Sequence, residues 1–184
     1  MDIIKAKQFR AFSAQYGTIV GLFWILSFSC YIIGLGHPLV ANLGFLFGIC
    51  SIFVAGYLIR HFRRNVFDFK FLPSWRMSLL IFTYASLLLA AAQFIYFRYI
   101  DRGMLANTYA ELLKQPESRQ LLEAMMPGDD VQAVTTRTIE LLQYITPIEI
   151  TINFLVYNII LSLLLSIPAA WIGNSGNHQK NIKQ

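Results

Sequence analysis

Apolar residues in this chain are gathered into long blocks. They do not recur at the two- or three-to-four-residue spacing of a half-buried strand or helix. Four blocks, at 14–35, 39–59, 77–97 and 148–170, are each long enough to cross a bilayer as a helix, which takes about 20 apolar residues. The first three contain no Asp, Glu, Lys or Arg. Between the third and fourth lies a segment of different character, about 101–146, in which helical periodicity returns. Leu105, Tyr109, Leu112 and Leu113 are helically spaced, and so are Leu121, Leu122, Met125 and Met126. Val131, Val134, Thr138, Leu141, Leu142 and Ile145 form a third set. Pro116 suits a first helical position, and Asp130 suits an N-cap. The pattern predicts an all-α integral membrane protein. Four transmembrane helices form one membrane domain over 1–184, with two or three short amphipathic helices between the third and fourth.

Composition sharpens that picture. Of 184 residues, 56% are hydrophobic and 14% charged, with a mean hydropathy of +0.52. A soluble domain carries about 25% charged residues. The block at 14–35 follows Lys5, Lys7 and Arg10, as a signal peptide would. It exceeds the roughly 7–15-residue core of such a peptide and is read as a retained span. Cys30 and Cys50 lie in different spans at different depths, and are read as small packing residues without a disulfide.

Charge sets the expected orientation. The N-terminal arm, the loop between the second and third spans, and the C-terminal tail hold ten basic and two acidic residues, a net +8. The turn at His37 and the segment between the third and fourth spans hold five basic and eight acidic, a net −3. Basic residues in short loops mark the cytoplasmic side, so both termini are expected in the cytoplasm and 101–146 outside it. Trp75 and Trp171 fall at the expected cytoplasmic edges. The net charge of +5 is therefore a topology signal and gives no reason to expect nucleic acid. Membrane lipids, another membrane protein or a second copy are the expected partners.

Polar residues in apolar blocks are the candidates for function. In "TPIEITINFLVYN", residues 146–158, Glu149 and Asn153 are four apart and share a helix face. The topology puts Asn42, Gln93, Arg98, Glu149 and Asn153 at one depth. Intramembrane ionisable groups usually face a bundle interior with a partner. Two readings stand. The five are interhelical glue, or they line an outward-facing pocket for a polar headgroup or a transported solute. Arg60, Arg63, Arg64, Lys70 and Arg76 form a second candidate set, for topology or for anionic lipid. Gly17 with Gly21, and Gly44 with Gly48, have the spacing that lets helix backbones approach in lipid. The first two helices are expected to pack on each other through them, a dimer interface being the alternative. No metal site or cofactor is expected: His37, His61 and His178 lie on different segments, and no nucleotide or nucleophile motif occurs.

The order of parts also resembles a known family. It has a basic arm, a glycine-bearing helical hairpin, a short basic loop, and a third helix ending in "QFIYFRYIDRGML". A helical segment ending in "LLEAMM" then precedes the last span. This is similar to a bacterial family of small four-span inner-membrane proteins defined by a domain of unknown function. In that family the Asp at the position of Asp101 is usually followed by proline, where this chain has Arg102. The resemblance implies an inner-membrane location and brings no activity or catalytic residue. The sequence points to a non-enzymatic accessory or scaffold protein of the bacterial cell envelope that binds a membrane partner or lipid, with a small transporter or lipid-handling component using the outer polar cluster as the alternative.

Overall fold

A computed structural model describes residues 3–35, 37–66, 70–128 and 130–175. Asp2, Gly36, Asp68, Asp129, His178, Lys180 and Lys183 lie outside them. The described residues form helices and no strand. In chain order these are α1 (Ile3–Gly34), α2 (Pro38–Asn65), α3 (Phe71–Tyr99), α4 (Met104–Lys114), α5 (Pro116–Met125), α6 (Val131–Tyr144) and α7 (Pro147–Asn174). Four of them, α1, α2, α3 and α7, are long and apolar enough to cross a membrane. Each extends beyond its apolar block, because a helix continues through polar residues that a hydropathy pattern leaves out.

The chain forms two compact units. The first comprises α1, α2, α3 as far as Ala92 and α7 from Phe154 onward. Its core is aromatic and aliphatic: Tyr16, Val20, Trp24, Ile59, Phe62, Met77, Ile81, Phe82 and Leu89 are buried together. Trp24 stacks on Phe82 with centroids 5.7 Å apart, and Phe62 packs against Phe12 at 5.1 Å. Apolar surface alone cannot bind helices to one another in lipid, so contact quality and polar bonds carry the packing. Trp24 Nε1 donates to Ser51 Oγ at 3.0 Å, tying α1 to α2. Ser27 Oγ donates to the Gly44 carbonyl at 2.7 Å across the same pair. Trp75 Nε1 donates to Ser166 Oγ at 2.8 Å, tying α3 to α7. Trp75, read from sequence as an edge residue, is thus also an interhelical bond; Trp171 is exposed. Leu22, Leu26, Phe45, Phe53 and Leu164 are also exposed, an outer surface suited to acyl chains and too apolar for water.

The second unit, Gln93–Asn153, holds the end of α3, the three short helices and the start of α7. Local signals set its helix starts. Pro116 opens α5, and Asp130 caps α6 by accepting from the Gln132 and Ala133 amides, each at 3.1 Å. At the turn from α3 into α4, Arg102 (φ 48°) and Gly103 (φ 85°) are both left-handed. Proline, locked near −65°, cannot take the conformation of Arg102, so this junction suits the residue the chain carries.

Candidate functional site

The residues singled out by sequence separate once their surroundings are known. Glu149 is exposed, and its carboxylate is engaged next to it in the chain. It accepts from the Thr146 amide and from Thr146 Oγ1, both at 2.7 Å, while Thr146 Oγ1 accepts from the Glu149 amide at 3.4 Å. This is a capping box, in which a Ser or Thr N-cap and a Glu three residues on satisfy each other's free amides. Pro147 between them is the first helical residue, where its missing N–H leaves nothing unsatisfied. The carboxylate in an apolar run is accounted for as the start of α7.

This role carries its own test. Glu149→Ala is expected to raise amide hydrogen exchange across 146–150, and Glu149→Gln, which can accept the same bonds, is expected to leave it nearly unchanged. Equal exchange in both variants would contradict the capping role.

The other members of the cluster differ in burial. Gln93 is 2% exposed, and its Oε1 meets no donor. Arg98 and Asn153 are exposed in the same unit, and Asn42 is exposed in the first unit. Among the described residues of the second unit the buried acid is Asp101, for which the sequence suggests no role. Asp101 is 6% exposed and accepts from the Gly103 amide through Oδ2 and the Leu105 amide through Oδ1, each at 3.1 Å. It holds the left-handed turn that opens α4. Its signal was present: an Asp ahead of a glycine, shortly before a helical pattern.

The basic set divides as well. Arg64, Lys70 and Arg76 are exposed, and Arg60 is half-buried. Arg63 is buried, and its Nη1 donates to the Gly173 carbonyl at 3.0 Å. His61 stacks on Tyr57 and bonds Asn65 one turn on.

Of the four glycines marked from sequence, Gly17, Gly21 and Gly44 sit at close approaches, with different partners, and Gly48 does not. A Cβ on Gly17 would lie 2.5 Å from Tyr84 Cβ, and one on Gly21 3.3 Å from Ala85 Cα, so both face α3. A Cβ on Gly44 would lie 2.8 Å from the Ser27 carbonyl, facing α1, whereas Gly48 has only Ser27 Oγ at 3.9 Å. Gly56 and Gly173, unmarked from sequence, form the tight crossing of α2 with α7, against Ile172 and Ile59 respectively. Ala169 and Gly173, four residues apart, are the signal that would have found it. Among the described residues no three His, Cys, Asp or Glu side chains come together as metal ligands would.

Against known proteins, one family model matches, described as "Protein of unknown function (DUF4199)", over residues 15–174. No curated protein matches, and no solved structure matches.

Proposed function

The chain belongs to this family of unknown function and carries four helices long and apolar enough to cross a membrane, and from that premise we propose a non-enzymatic accessory or scaffold role in the bacterial inner membrane. In this reading both termini are cytoplasmic, and the protein binds a membrane partner or lipid. The use of its polar side chains carries the reading. Trp24 with Ser51, Trp75 with Ser166, and Thr146 with Glu149 are satisfied within the chain, so these groups hold and start helices. Helix α5 has no buried residue and displays, beside exposed Glu117, Arg119 and Glu123, the apolar Leu121 and Met125, 65% and 78% exposed. A helix that contributes little to its own unit's interior and displays Leu and Met suits a partner protein.

The test is affinity purification from native membranes into lipid nanodiscs, with mass spectrometry of everything retained. A stoichiometric partner protein is expected, and Leu121→Glu with Met125→Glu is expected to lower its recovery at least tenfold without loss of folded protein. A retained lipid with no protein would overturn the scaffold reading. It would favour a second one, a small transporter or lipid-handling component that uses the buried Gln93. Gln93 supports that alternative, since a buried amide oxygen without a donor is costly. Gln93→Leu would abolish transport in that case and would leave partner recovery intact in the first.

A further inference from the structure

Helix α6 has three sectors. Val131 and Thr135 are buried. Gln132, Thr136 and Glu140 are exposed and polar. At 3.6 residues per turn, Val134, Arg137, Leu141 and Tyr144 share a third sector. There Leu141 is 66% and Tyr144 83% exposed, with Arg137 exposed one turn before Leu141. A helix bathed in water on both free sides would have no use for that apolar flank.

We propose that α6 lies on the membrane surface with the Leu141–Tyr144 flank in the bilayer, and that Arg137 reaches from the same flank to lipid phosphate. The chain's connectivity selects lipid as the occupant. Tyr144 is three residues from Pro147, where a spanning helix begins. Three residues reach at most about 10 Å, so the end of α6 is tethered at the level of the headgroups. Beyond the break, α7 opens with Ile148 and Ile152, both half-exposed and apolar. Tyr is favoured at this depth, with its ring among acyl chains and its hydroxyl in water. An Arg with its stem along an apolar face and its guanidinium at the phosphates completes an interfacial helix. The inference does not require the scaffold reading, because it concerns a different helix and a lipid.

The test uses the full-length chain carrying Cys30→Ala and Cys50→Ala, with one new cysteine at a time. Leu141→Cys, Tyr144→Cys and, on the polar sector, Thr136→Cys are labelled with an environment-sensitive fluorophore. The labelled protein is placed in phosphatidylcholine nanodiscs with or without doxyl-labelled lipid. The expected result is blue-shifted emission at 141 and 144, with doxyl quenching at least threefold greater than at 136. Arg137→Glu is expected to reduce the quenching at 141, and Arg137→Lys to preserve it. Emission at 141 and 144 as wet as at 136 would overturn the proposal. So would a blue shift without lipid quenching, which would mean that protein, such as a second copy, covers the flank. A partner captured from native membranes leaves this measurement unaffected, so the two readings fail separately.

Discussion

Gly17→Ala is expected to destabilise the first unit by about 1–3 kcal/mol, the usual range for forcing extra volume into a packed core. The added carbon would sit 2.5 Å from Tyr84 Cβ and 2.9 Å from the Ile81 carbonyl. Both belong to the body of α3 and cannot swing aside as a side-chain tip would. Relief requires α1 and α3 to part, which loosens the Trp24–Phe82 stack on the same pair of helices. Gly44→Ala is expected to behave similarly, since its carbon would meet the Ser27 carbonyl at 2.8 Å. Gly48→Ala is the contrast. Its nearest neighbour is 3.9 Å away, an ordinary contact, and Ala is the better helix former by about 1 kcal/mol. That variant should be neutral or slightly more stable. Unfolding of the three variants in one detergent or nanodisc system decides the matter. If Gly17→Ala and Gly48→Ala unfold alike, close packing of α1 on α3 is not what holds the unit.

The contrast also locates what was legible in the sequence. Four spans could be read because each needs only a long apolar block, and no tertiary information enters that judgement. The starts of α5 and α6 could be read because Pro116 and Asp130 act on their own next turn. The glycine pairs were legible as close-packing surfaces and illegible as to partner. Spacing of four places two small residues on one face, but it carries nothing about which helix meets that face. Gly17 and Gly21 therefore looked like the counterpart of Gly44 and Gly48, whereas they meet α3. Glu149 shows a different limit. Thr146-Pro147-Ile148-Glu149 is a capping signature in plain sight, but an acid at the edge of a span also fits a pocket, and sequence leaves the two in competition. Asp101 was masked in a similar way. Its work is done on backbone amides two and four residues ahead, in a left-handed turn that no hydrophobic pattern announces.

Arg63→Met is expected to cost about 1.5–3 kcal/mol, the range for a hydrogen bond with a charged partner, although nearby Arg64→Met costs almost nothing. The last carbonyls of any helix lack intrahelical donors and carry the negative end of its dipole. Helix α7 has no basic residue in its own last turn. Arg63, on α2, provides the missing cation, with Nη1 on the Gly173 carbonyl. The tight crossing at Gly56 and Gly173 brings that carbonyl within reach, and Phe62, the preceding residue, anchors α2 against Phe9 and Phe12. Methionine keeps most of the side-chain volume, so the loss reports the bond and charge and not a cavity. Hydrogen exchange should rise at 171–175 in Arg63→Met and remain unchanged in Arg64→Met. Binding to anionic nanodiscs should sort the same residues the other way. Exposed Arg64, Lys70 and Arg76 can each contribute about 1 kcal/mol to attraction by acidic lipid, and a guanidinium buried on a helix end contributes little. Equal exchange and equal lipid binding in the two variants would return Arg63 to the solvated basic loop that its sequence context suggested.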